Sequence, residues 1–79
     1  MTVRLFARLR DIAGAADLER TLPDGATVAA LWSLLAAEFP ELDAYGKAVS
    51  SAVNTEYAPM RTTLHDGDEV AFLPPVSGG

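Results

Sequence analysis

The stretch Leu22–Pro40, LPDGATVAALWSLLAAEFP, decides the fold. Its large apolar side chains recur at spacings of three and four residues, which is typical of one face of a helix. The members of this stripe are Val28, Leu31, Trp32, Leu35 and Phe39. Thr27 can cap the helix by accepting a hydrogen bond from a backbone N–H of the first turn. Pro40 ends it, because the residue before a proline avoids helical backbone angles. The sequence therefore predicts one main helix with a single apolar face.

The segments on both sides of this helix alternate between apolar and polar residues, which is typical of half-buried strands. Four strands are predicted, together with a very short one near Tyr57; they cover Thr2–Leu9, Asp17–Leu22, Ala48–Asn54 and Glu69–Leu73. In the first, the inward side chains are predicted to be Val3, Leu5 and Ala7; in the last, Val70 and Phe72. We expect Arg10–Ala16 to be a loop or a single helical turn, and Glu41–Lys47 to be a loop.

One helix covers only one face of a sheet, so the other face stays open to solvent. This arrangement is an α+β fold of the ubiquitin-like β-grasp type, a mixed sheet with one main helix across one face. The first and last strands are expected to be parallel neighbours. Residues 1–73 would form the domain, and residues 74–79 an extended C-terminal Gly-Gly tail. A ferredoxin-like sandwich is the alternative, but it needs a second full helix, for which Glu41–Lys47 is too short.

Composition excludes several classes of function. The chain has 79 residues, no cysteine and one histidine, which rules out disulfides, a thiol nucleophile and cysteine-ligated metal sites. Six basic residues against eleven acidic ones give a net charge of −5, which disfavours a nucleic-acid partner. No apolar run is long enough to cross a membrane and no export signal is recognisable, so a cytoplasmic location is expected.

Side-chain catalysis has little support in the sequence. Asp66, Asp68 and Glu69 are close together, but they lack the ligand spacing of a calcium loop and indicate a polar turn. His65 is the chain's single imidazole, and a serine could act as a nucleophile only if His65 and a carboxylate converged on it. We therefore predict no metal site and no catalytic side chain.

The C-terminal end is the best candidate for chemistry. The last strand is followed at once by Pro74, Pro75, Val76, Ser77, Gly78 and Gly79. The prolines hold the exit extended, and a fully extended six-residue tail reaches about 20 Å. Gly78 and Gly79 have no Cβ, so they can pass through a narrow channel. The terminal carboxylate is ionised at neutral pH and a poor electrophile, so it needs activation, for instance as a mixed anhydride with AMP. Attack by sulfur would then give a thiocarboxylate.

Four stretches carry a resemblance to a known family. They are FARLRDIAG (Phe6–Gly14), LPDGATVAALWSLLAAEFPEL (Leu22–Leu42), AVN (Ala52–Asn54) and LHDGDEVAFLPPVSGG (Leu64–Gly79). Together they cover most of the chain, and the last is the most specific. On these residues the chain resembles the small subunits of molybdopterin synthase, a family of ubiquitin-like sulfur carriers.

The resemblance implies a carrier function with no cofactor bound by this chain. An E1-like adenylating enzyme would use ATP to acyl-adenylate Gly79, and a sulfur donor would convert the adenylate to a thiocarboxylate. The tail, with Gly78 allowing passage, would enter the large synthase subunit, which holds the catalytic side chains. Two large and two small subunits would form a heterotetramer, and two carriers would supply the two sulfurs added to a pyranopterin precursor in molybdenum cofactor biosynthesis.

A docking surface is predicted at the root of the tail, because Phe6, Ala71 and Leu73 alternate with the inward side chains of neighbouring strands and so face outward.

Three other functions remain open. The chain could be a sulfur carrier for thiamine thiazole, cysteine or another thiolation; a non-catalytic ubiquitin-like interaction module; or a small stand-alone enzyme.

Overall fold

The structure is a computed structural model and describes residues 1–75 of the chain. Eight elements follow one another along it. They are β1 (Thr2–Leu5), α1 (Ala7–Ala13), β2 (Asp17–Glu19), α2 (Val28–Glu38), a 3-10 helix (Pro40–Tyr45), β3 (Ser50–Val53), β4 (Glu56–Tyr57) and β5 (Glu69–Leu73).

The strands form one mixed sheet in the order β2-β1-β5-β3-β4. β1 and β5 are parallel neighbours, and the other pairs are antiparallel. α2 packs its apolar stripe against one face of this sheet. The predicted ubiquitin-like β-grasp, with its first and last strands side by side, is confirmed. No helix within residues 1–75 has the length and apolar character required to cross a membrane.

The core lies between α2 and the inner face of the sheet. Val28, Leu31 and Leu35 are fully buried, as the helical stripe predicts, and the Trp32 ring lies 5.0 Å from that of Phe72 on β5. Phe39 is only partly buried, at the point where α2 ends. The Thr27 hydroxyl accepts a hydrogen bond from the Ala30 N–H at 3.2 Å, so the predicted cap is confirmed. On the strands the buried apolar residues are Val3, Leu5, Val70 and Phe72.

The predicted strand Thr2–Leu9 is too long. It ends at Leu5, and α1 takes its place over Ala7–Ala13, so Ala7 is exposed rather than inward. Leu9, Ile12 and Ala13 have helical spacing, and they pack on the core with Leu9 completely buried. This helical stripe overlaps the alternating pattern of the preceding residues. The helix forms because it buries the Leu9 side chain in the core. Residues 10–16, predicted as a loop or a single helical turn, contain the last turn of α1, and the first part of α1 replaces the end of the predicted strand.

Glu41–Lys47 was also predicted to be a loop, but most of it belongs to the 3-10 helix. That helix buries Leu42 against the core and leaves no second α-helix of full length within the described residues. The ferredoxin-like alternative is therefore wrong. Two strands are shorter than predicted: β2 stops at Glu19, and β3 covers only Ser50–Val53.

Candidate functional site

The root of the predicted tail lies at the centre of the sheet. β5 is the middle strand, flanked by β1 and β3, and it ends at Leu73. Pro74 is half-buried and Pro75 is exposed. Neither has a backbone N–H, so the sheet ladder cannot continue through them. The remaining predicted site residues, Val76, Ser77, Gly78 and Gly79, lie outside the described residues, and their roles stay predictions.

An apolar surface lies on the open face of the sheet, opposite α2. The register places Ala71 of β5 beside Ala52 of β3, and Ala52 beside Tyr57 of β4. Leu5 is paired with Phe72, so extending this register by one residue brings Phe6 beside Leu73. We call these five residues, Phe6, Ala52, Tyr57, Ala71 and Leu73, the apolar patch. The large apolar side chains exposed within residues 1–75 are Phe6 (43%), Tyr57 (81%) and Leu73 (39%), and all three belong to it.

Tyr57 and Ala52 were not among the predicted docking residues. The Tyr57 hydroxyl donates a hydrogen bond of 2.8 Å to the Ser50 Oγ, and Ser50 is the cross-strand partner of Leu73. This bond joins the tyrosine to β3, at the residue that pairs with the end of β5. Its register follows from the two-residue turn at Asn54 and Thr55, both with positive φ, which makes Tyr57 the partner of Ala52.

The acidic turn before β5 is a structural network. Asp68 Oδ2 accepts a 2.8 Å hydrogen bond from the His65 backbone N–H, and Oδ1 accepts one of 3.0 Å from the Asn54 side-chain amide. The Asn54 amide oxygen in turn accepts from the Glu69 N–H at 3.0 Å. The hydrogen bonds that Asp68 accepts hold the pKa of its carboxyl below its usual range. The bond from the His65 N–H has the largest effect on this pKa, followed by the bond from the Asn54 amide. The turn therefore joins the β3–β4 hairpin to the start of β5.

Acid should weaken this network. Because the pKa of Asp68 is lower in the folded chain, its contribution to stability is present above the unfolded pKa of about 4 and is lost as pH falls through the folded value. Asp68→Asn should lower the denaturant midpoint at pH 7 and make it depend less on pH below about pH 4. Urea unfolding at several pH values, followed by Trp32 fluorescence, measures both effects. An unchanged acid dependence in Asp68→Asn would contradict this account.

The side chains considered above as candidates for chemistry either have a structural partner or lie exposed. Within residues 1–75 no three histidine, aspartate or glutamate side chains lie together as metal ligands. Ser51 is buried, and its hydroxyl donates to the Ala58 carbonyl at 2.6 Å, so it has a structural partner. The His65 imidazole is exposed, and its Nδ1 lies 3.9 Å from Asp68 Oδ2. The described part has an open apolar patch beside Pro74 and Pro75, the first residues of the predicted tail.

Comparison with known proteins gives a consistent assignment. The model of the ThiS family matches residues 3–79. A molybdopterin synthase sulfur carrier subunit of Chlamydomonas reinhardtii is 42% identical over 79 residues, covering 98% of this chain and 95% of that protein. The protein of the same name from Arabidopsis thaliana is 38% identical over 77 residues, covering 98% and 80%.

Among solved structures, the crystal structure of SAMP1 from Haloferax volcanii superposes with a TM-score of 0.86 at 30% identity. The match covers 99% of this chain and 97% of that one.

Proposed function

The chain belongs to the ThiS family, in the group of molybdopterin synthase sulfur carrier subunits. We propose that the carboxyl group of its terminal glycine, Gly79, carries the sulfur atom. The observation that carries this proposal is the extent of the family match, which runs through residue 79 and so includes Gly78 and Gly79. The Gly79 carboxylate attacks the α-phosphorus of ATP on an E1-like adenylating enzyme, and pyrophosphate leaves. A donor of sulfide-level sulfur then adds to the acyl carbon, AMP leaves, and a thiocarboxylate remains.

The chain's own contribution is to present this group. Pro74 and Pro75 continue from the central strand, so the tail starts from a fixed point of the sheet. Val76, Ser77 and Gly78 form the part that enters a partner's channel. The large synthase subunit supplies the catalytic side chains, receives the tail, and pairs with the carrier as two large and two small subunits. ATP is consumed by the adenylating partner in the cytoplasm, and this chain binds no cofactor.

The apolar patch is the surface on which the large subunit docks. It lies on the face that α2 leaves open and includes Leu73, the last residue of β5, so a protein seated on it would contact the root of the tail. Exposed apolar surface of this kind is typical of protein interaction sites. Tyr57 is the most exposed member and presents both an apolar ring and a hydroxyl, which suits the centre of an interface.

Charge placed on the apolar patch should weaken this docking. Phe6→Asp and Leu73→Asp should each weaken binding to the large subunit by about a hundredfold, because a carboxylate would lose its hydration in the interface. Tyr57→Ala should weaken it by about tenfold or more. Ser33→Asp is the matched control, since Ser33 is exposed on α2 and gains the same charge away from the patch. Calorimetric titration measures the affinities; unfolding of Phe6→Asp or Leu73→Asp would instead place that residue in the core.

Reconstitution tests the function itself. The chain is incubated with its adenylating enzyme, ATP and a sulfur donor, and then with the large subunit and a pyranopterin precursor. We expect dithiolene formation that requires every component and consumes two loaded carriers for each product. Loading without transfer to this precursor would instead favour a carrier for another thiolation, and failure to load would favour an interaction module.

A further inference from the structure

A small cleft lies beside Phe6 at the edge of the apolar patch. Residues at the end of β1, in the last turn of α1 and at the start of β2 border it. Its lining residues are Arg4, Leu5, Phe6, Arg10, Ala16 and Asp17. A partner that covers Phe6 would therefore also cover the mouth of this cleft.

The two arginines of the cleft differ in their ion pairing. The Arg4 Nε lies 3.3 Å from Asp17 Oδ1, and its Nη1 lies 3.7 Å from Glu69 Oε1, so Arg4 already has carboxylate partners on both neighbouring strands. Arg10 has no ion-pair partner within residues 1–75. Asp17 and Glu69 are both engaged by Arg4, so Arg10 is the charged side chain of the cleft lining without an ion pair in the part of the chain that the structure describes.

We propose that Arg10 receives an aspartate or glutamate side chain of the subunit that docks on the apolar patch. This inference rests on the proposed function, and it adds a charged contact that fixes the orientation of the partner. A guanidinium can hold a carboxylate through two parallel N–H···O bonds, which gives geometric specificity as well as attraction. The apolar patch supplies buried area, and Arg10 at its edge sets the rotation of the carrier about that patch.

The alternatives to a protein carboxylate fit the site less well. A nucleic acid presents many phosphates and needs several unpaired cations along one face, whereas this cleft offers a single unpaired guanidinium on an acidic chain. A protein side chain requires only one cation with an apolar surface beside it. Arg10 and Phe6 provide that combination.

Arg10→Gln tests the inference, because glutamine removes the charge and is a good helix former near the end of α1. We expect affinity for the large subunit to fall about tenfold at low salt, and the salt dependence of binding to decrease. Arg61→Gln is the matched control, since Arg61 is exposed in the loop that packs on the first turn of α2. It removes the same charge and should change affinity by less than about twofold. Unfolding followed by Trp32 fluorescence verifies that both variants are folded.

A charge swap identifies the partner residue. Arg10→Glu should bind more weakly than Arg10→Gln, and one Asp→Arg or Glu→Arg variant of the large subunit should restore the binding of Arg10→Glu. Equal affinities for Arg10→Gln and the unaltered chain would overturn the inference, as would equal losses in Arg10→Gln and Arg61→Gln. The unaltered chain's sulfur transfer is measured in the same preparation. Normal sulfur transfer by the unaltered chain, together with no loss of affinity in Arg10→Gln, would contradict this inference alone. Absence of sulfur transfer would contradict the proposed function.

Discussion

A chain that lacks Gly78 and Gly79, or that has one residue added after Gly79, should acquire no sulfur and support no dithiolene formation. Removing two residues retracts the tip by about 7 Å, whereas reacting atoms must approach to about 3–3.5 Å. An added residue converts the Gly79 carboxylate into an unreactive amide and moves the free carboxylate beyond the site. The assay is thiocarboxylate formation with adenylating enzyme, ATP and a sulfur donor.

Stability and docking provide the control for these tail variants. The core cluster of the described residues is formed within residues 3–72, before the positions changed, so we expect the free energy of unfolding to stay unchanged. The affinity for the large subunit through the apolar patch should be largely retained. Gly78→Val should also fail to transfer sulfur, because a β-branched side chain would obstruct a narrow channel. Sulfur transfer by the truncated or extended chain would show that the terminal carboxylate is not the carrier group.

Leu35→Ala should lower the free energy of unfolding by about 2–5 kcal/mol, a large part of the stability of a domain of this size. Leu35 is fully buried in α2 and belongs to the stripe that packs on the sheet, so truncation leaves a cavity. Leu31→Ala should behave alike. Ser33→Ala is the control on the exposed side of the same helix and should change stability by less than about 0.5 kcal/mol. Denaturant unfolding measures each value, and a loss for Leu35→Ala as small as that of the control would contradict the assigned core.

The sequence predicted best those elements whose residue pattern fits only one type of secondary structure. α2 has a cap at Thr27, a continuous stripe and a stop at Pro40, and the structure begins and ends the helix accordingly. β5 was predicted with its observed bounds, because prolines directly follow it. The first part of α1 was missed because the alternation continues from Thr2 past the true end of β1, and only tertiary burial of Leu9 decides between strand and helix.

The docking surface was predicted only in part, for a related reason. The outward positions of Phe6, Ala71 and Leu73 follow from parity along two strands. Tyr57 joins them through the register of a strand of only two residues, which no periodicity can establish. Its hydrogen bond to Ser50 is likewise a product of sheet order, because it depends on β4 pairing with β3.

The most direct test of the central claim is the position of the sulfur atom. The chain is loaded with its adenylating enzyme, ATP and an isotopically labelled sulfur donor, and the intact protein and its C-terminal peptide are analysed by tandem mass spectrometry. The account predicts that one oxygen is replaced by one labelled sulfur, and that every fragment containing the Gly79 carboxyl group carries it. Labelled sulfur on any other residue, or a fully active preparation whose Gly79 carboxyl group retains both oxygens, would contradict it.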